Sequence, residues 1–157
     1  MTKDEILLES LSSFAEFGDA CGSFDEPKFF DRPGEKWSVA ENMQHLVLSI
    51  GTTTLAYSLP KFVVKMVGGK PKRKSMTYDE LLARYNKKIE EGGKASARYV
   101  PKPIAIKYGK DRLLQNWNST TSKFLKALEL KRNEPDLDNY QAKHPLLGPI
   151  TLRELCY

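Results

Sequence analysis

One short pattern constrains this chain more than any other. A Ser or Thr followed three residues later by Glu, just ahead of an apolar-periodic stretch, occurs four times: Thr2…Glu5, Ser38…Glu41, Thr77…Glu80 and Thr151…Glu154. In such a capping box the hydroxyl accepts from the amide three residues on. The carboxylate reaches back to the amide of the capping residue, so two orphan donors at a helix start are satisfied at once. Four boxes, each before an apolar face, predict a chain built from helices.

The stretches after the boxes carry the helical period. Residues 3–17 place Leu7, Leu11, Phe14 and Ala15 on one side, with Gly18 and Gly22 expected to break the helix. A second helix is predicted over about 39–58, with Val39, Met43, Leu46, Val47, Ile50 and Tyr57 as its apolar residues. Pro60 interrupts it, and Phe62, Val63, Met66 and Val67 form a further short turn of helix before Gly68-Gly69. A shorter helix follows over about 78–91, ended by Gly92-Gly93, and a long one over about 111–130 contains Trp117, Phe124 and Leu128. Residues 18–37, 94–109 and 131–149 read as loops. No strand-like alternation is long enough to predict a sheet. The fold class expected is all-α, an antiparallel four-helix bundle formed by one domain over residues 1–157. Its last helix starts near Thr151 and has about two turns before Tyr157, so further residues or a partner chain are expected to complete it.

Charge and cysteine content narrow the function classes. Residues 1–60 hold four Lys/Arg against ten Asp/Glu, a net of −6, and the rest hold 21 against ten, a net of +11. From Lys61 to Met76 there are six bases and no acid. Such a stretch suits an anionic partner or a solvated loop. Phe62 and Tyr78 are too few for a base-stacking platform, so a nucleic-acid partner is not expected. No apolar run approaches the length of a membrane span, and the acidic start lacks the order of a signal peptide, so a cytoplasmic location without a membrane partner is expected. Cys21 and Cys156 are expected as free thiols. With no Cys-x-x-Cys pair, a structural zinc site is not expected.

His45 is the residue with chemistry. It lies seven residues past Ser38, nearly two turns into its helix and on the border of the apolar side. From spacing alone two readings stand open: a core-edge histidine bonded to a neighbour, or one ligand of a metal held between facing helices.

The string Trp37-Ser38-x-x-Glu41-Asn42-x-x-His45-Leu46 resembles the signature of the DinB/YfiT-like proteins. The later string from His144-Pro145-Leu146-Leu147-Gly148 to Arg153-Glu154-Leu155 is similar to the segment that leads into that family's fourth helix. The resemblance covers most of the chain. It implies a four-helix bundle with a divalent metal, zinc or nickel, held by three histidines, of which His45 matches the first. The other two would come from a His-x-x-x-His pair on the fourth helix, beyond Tyr157. His144 matches a position that is not a ligand. The activities implied are thiol S-transfer with a low-molecular-weight thiol, or metal-dependent hydrolysis, on a small-molecule substrate and in a homodimer. The alternative is a non-catalytic helical module that binds an anionic partner or dimerises.

Overall fold

A computed structural model describes residues 1–94 and 96–157. Helix α1 runs Lys3–Gly22, α2 Glu26–Phe30, α3 Val39–Ser58, α4 Lys61–Gly68 and α5 Tyr78–Glu90. Two short 3₁₀ turns, Ala97–Tyr99 and Ile106–Tyr108, lead into α6, Lys110–Lys131. Then come α7 (Glu134–Asn139), strands β1 (Gln141–His144) and β2 (Gly148–Thr151), and α8 (Leu152–Cys156). The structure is mainly helical. No single helix among the described residues is long and apolar enough to cross a membrane.

All four capping boxes form as the sequence predicts. A fifth of the same geometry, Asn133 with Asp136, starts α7. Each box satisfies donors that the first turn of a helix leaves free. Their burial differs widely: Glu5 and Glu80 are exposed, whereas Glu41 and Glu154 are each 1% exposed.

Helix α1 corrects the sequence reading in two ways. Gly18 does not break it. Trp117 of α6 packs on that point and donates its indole N–H to the Phe14 carbonyl at 3.0 Å. A Cβ at Gly18 would sit 3.2 Å from the indole nitrogen, so glycine leaves room for the ring while the helix continues. The inward face keeps Leu7 and Phe14 of the one expected but not Leu11 and Ala15. Ile6 and Cys21 are buried and Phe14 and Phe17 half-buried, while Leu11 is 56% exposed and Ala15 is exposed. The row Ile6, Phe14, Phe17, Cys21 is equally helical in period, and it carries the larger aromatic surface toward Trp117.

Helices α3 and α6 pack along each other, and α1 lies against α6. One core cluster joins Ile6, Tyr57, Phe124, Leu128, Leu137 and Leu152; a second joins Cys21, Phe29, Ala40, Met43, Leu113 and Trp117. Phe14 and Ile50 touch both. Cys21, expected at a loop start, therefore lies inside α1 and in the core.

The segment 131–149, expected as a loop, holds α7 and an antiparallel β1–β2 hairpin in register Gln141↔Thr151 to His144↔Gly148. Each strand is four residues long, and Pro149 sits inside β2, so alternation alone is too short to read. Packing supplies what propensity lacks. Leu147 and Ile150 are buried on Leu81 of α5, and Gly68 at the end of α4 lies against the backbone of Gln141. The Gln141 side chain donates back to the Gly68 carbonyl at 2.7 Å. Gly148 closes the turn at φ +72°, a conformation that favours glycine.

The basic stretch, which suits an anionic partner or a solvated loop by composition, is also partly structural. The Arg73 guanidinium pairs with both oxygens of the buried Glu154 carboxylate, and the Met76 amide donates to Glu154 at 2.7 Å. Burial alone would raise the Glu154 carboxyl. The bonds from Arg73, Met76 and Thr151 override it and hold the group below the usual carboxylate range. Lys61 pairs with Asp136 at 2.8 Å. Lys65, Lys70, Lys72 and Lys74 stay exposed.

Candidate functional site

A cavity of about 500 Å³ opens between α1, α3, α6 and the hairpin, a volume suited to a small molecule. Its apolar wall includes Phe14, Phe17, Ile50, Trp117, Leu146 and Leu155. Most of the wall area is apolar, and its polar side chains include the chain's two histidines, His45 and His144. They are 99 positions apart in sequence, and the hairpin brings them to one wall.

The Ser38 capping box fixes where α3 begins and so fixes the phase that turns His45 toward the cavity. The box is anchored by Glu41, whose buried carboxylate also pairs with Arg32 at 3.0 Å. The Trp37 ring, just ahead of the box, lies 5.1 Å from the His45 ring. The His45 Nδ1 atom is 2.7 Å from the Tyr99 carbonyl oxygen. A carbonyl only accepts, so Nδ1 carries the hydrogen. In the neutral ring Nε2 then holds the lone pair. No protein group among the described residues bonds that Nε2, and it is not sealed from solvent.

His144 has the opposite arrangement. It ends β1 rather than lying in a loop, and its Nδ1 accepts from the amides of Leu146 at 3.2 Å and Leu147 at 3.1 Å. Two N–H donors on Nδ1 exclude a proton there. The ring is the neutral tautomer with hydrogen on Nε2, which again has no protein partner among the described residues. Burial lowers the pKa of His144 below its ordinary value. The cavity thus presents one imidazole as acceptor and one as donor.

On α3 the His45 row continues through Ser49 and Thr53 at i+4 and i+8, and both line the cavity. Ser49 donates to the His45 carbonyl at 3.0 Å and Thr53 to the Ser49 carbonyl at 3.1 Å, so both hydroxyls keep only acceptor capacity outward. Ser49, Thr53 and Tyr99 stand out in no sequence motif, and His144 enters there only as a position that is not a metal ligand. The first two were accessible as the polar row on an otherwise apolar helix. Tyr99 and His144 depend on tertiary contacts.

Among the described residues no three His, Cys, Asp or Glu side chains converge as a metal site, and His45 is the one imidazole on the cavity with an open lone pair. A catalytic zinc takes three protein ligands, so the donors present do not form such a site by themselves. His45 does have the orienting carbonyl bond typical of a ligating histidine. The cysteines offer no alternative. Cys21 is buried, and burial raises its thiol. Cys156 bonds the Tyr57 hydroxyl at 2.7 Å, and its thiol is pushed up to about 12 by burial. Both are free thiols in separate clusters.

A broader depression of about 1200 Å³ lies between the basic stretch and α7. Its two arginines are already paired, Arg73 with Glu154, and Arg153 with Glu134 at 2.6 Å and Asp138 at 2.8 Å, while Lys65, Lys70, Lys72 and Lys74 line it exposed. It offers no comparable set of open polar groups in an apolar wall.

No protein-family model, curated protein or solved structure matches this chain.

Proposed function

We propose that this chain is a small-molecule-binding helical domain of the DinB/YfiT-like type, with α1, α3, α6 and α8 as the four helices of the bundle. The observation that carries the reading is the His45 bond to the Tyr99 carbonyl, which leaves a lone pair on an apolar cavity. A lone pair in such a place holds the S–H or O–H of a bound molecule, because a weakly polar wall gives that hydrogen no competing water. Thiol transfer and hydrolysis, the activities implied by the resemblance, both start from a nucleophile held by that hydrogen. In the metal-dependent form of the proposal, His45 would contribute one of the ligands to zinc or nickel, and such an ion would supply Lewis acidity to a bound thiol or water. The residues of this chain would then orient that imidazole through Tyr99 and keep the surrounding wall apolar. A homodimer is part of the same proposal.

Two measurements test it. Phenol should bind the wild-type cavity about five-fold more tightly than toluene, the difference of one hydrogen bond, and His45→Leu should erase that preference. No binding of either probe overturns the small-molecule reading. Elemental analysis after equilibration with zinc or nickel decides the role of His45. One ion per chain, lost in His45→Ala, supports the metal-dependent form; no stoichiometric ion in either protein leaves His45 as a hydrogen-bond acceptor only.

A further inference from the structure

Five features of the molecule compete for a second role: the broad depression by the basic stretch, the exposed apolar face of α4, the buried Tyr57–Cys156 pair, the Arg73–Glu154 link, and His144. The arginines of the depression and of the link are already paired within the fold, the lysines of the depression are exposed with no buried polar partner set beside them, and the Tyr57–Cys156 pair is buried. Phe62 and Met66 of α4 are more than 70% exposed, but no complementary surface identifies their partner. His144 is different, because its chemistry is fixed in one state and left unused.

We infer that His144 is a ligand-binding residue of the cavity: its Nε2–H donates to an oxygen acceptor, of the carbonyl class, on a largely apolar molecule. This rests on the reading of the cavity as a small-molecule site. Leu146 and Leu147 both direct their amides at Nδ1 of His144, so the backbone that closes the hairpin sets the tautomer. Turning the ring over would place an N–H against two N–H donors. Protonating it would do the same. The ring is therefore a permanent donor at Nε2, and a half-buried donor in a mostly apolar wall gains from an acceptor brought to it.

The rest of the wall selects what carries that acceptor. The ring edges and aliphatic groups of Phe14, Phe17, Ile50 and Trp117 favour an apolar body. No carboxylate side chain is among the residues that line the cavity, and the ionic groups there are Lys94 and Lys143. That composition disfavours a cationic ligand and favours electron-rich oxygen. His45 supplies the opposite function, an acceptor for an O–H, S–H or N–H. A molecule with an apolar body, one carbonyl oxygen and one such hydrogen satisfies both imidazoles. A ligand of this class is held in a fixed orientation, since exchanging its two polar ends would face donor to donor at His144 and acceptor to acceptor at His45. The hairpin thus contributes specificity, and α3 the reactive acceptor.

The test uses acetophenone and α-methylstyrene, which differ in carrying a carbonyl oxygen or a methylene at one position. Binding is followed by NMR on the Trp117 indole and the methyl groups of Ile50, and the His144 ring nitrogens are followed by ¹⁵N shifts. Acetophenone should bind the wild type about five-fold more tightly than α-methylstyrene, and His144→Leu should bring the ratio to about one. In the wild type, Nδ1 of His144 should show the unprotonated type of shift and Nε2 the protonated type, with only acetophenone displacing the Nε2 signal. These wild-type observations stand even if His144→Leu does not fold. Equal binding of the two probes, a ratio unchanged in His144→Leu, or an unprotonated Nε2 overturns the inference and leaves the cavity reading intact. If neither probe moves the Trp117 and Ile50 signals, the cavity reading falls and the inference falls with it.

Discussion

Replacing Glu154 by Gln isolates what burial adds to a capping box. The carboxylate has no exposed side-chain surface, receives both nitrogens of Arg73, and accepts from the Met76 amide at 2.7 Å and the Thr151 amide at 2.7 Å. The amide keeps one acceptor oxygen, loses the charge, and turns a donor toward a guanidinium or an amide. Removing one partner of a buried ion pair costs about 3–5 kcal/mol. The Arg73 side chain is 35% exposed and regains some hydration, so the low end, about 3 kcal/mol, is expected. For a chain of 157 residues that is a fall of roughly 6–12 °C in Tm. Glu80 provides the internal control. It completes the same motif with Thr77 in the open, so Glu80→Gln should cost only about 0.5 kcal/mol. Urea unfolding of both variants, and of Arg73→Met alone and combined with Glu154→Gln, gives the comparison. The Arg73 and Glu154 changes should be strongly non-additive, with a coupling of about 2 kcal/mol. Equal losses for Glu154→Gln and Glu80→Gln, or additive losses in the cycle, would refute the reasoning.

Three other outcomes follow from the packing and the titrating groups. Gly68→Ala should destabilise the protein by about 3 kcal/mol in urea unfolding, because its Cβ would fall 1.9 Å from the backbone oxygen of Gln141 and force α4 off β1. His144, whose pKa is lowered by burial, stabilises the fold fully above its unfolded value of about 6.5, and that stability is lost as pH falls through the folded value. A pH series of unfolding midpoints should therefore decline more steeply below about 6.5 in the wild type than in His144→Asn. Cys21 and Cys156, raised by burial, should resist an aromatic disulfide reagent at pH 8 in the folded protein and react at once in urea; rapid modification of either in the native state would contradict their placement.

Helix starts were legible because a capping box is local: Ser38 and Glu41 need only each other to announce α3. The ranges of α3, α4, α5 and α6 followed from the boxes, Pro60 and the glycines. What failed depended on partners distant in sequence. Gly18 reads as a breaker until Trp117 is known to lie over it. On α1, Leu7 and Phe14 pack inward as read, while Leu11 and Ala15 give way to Phe17 and Cys21 beside Trp117. The hairpin owes its existence to Leu81 and Gly68, outside the strands themselves. Arg73 looked like one base in a solvated run, and its carboxylate is 81 positions away. At the site, His45 was legible from its place after the Trp-Ser box. The donor role of His144 was not, since it arises from two backbone amides in a turn that could not be foreseen.

The state of His45 decides whether the cavity offers an acceptor to a bound molecule. A ¹⁵N titration of the wild-type imidazoles with phenol tests it directly. Nδ1 of His45 should show the protonated type of shift in the free protein, fixed by the Tyr99 carbonyl, and the Nε2 signal should move saturably as phenol binds. A protonated Nε2 with a bare Nδ1, or an Nε2 signal unmoved at saturating phenol, would contradict the claim that His45 offers its lone pair to a bound molecule.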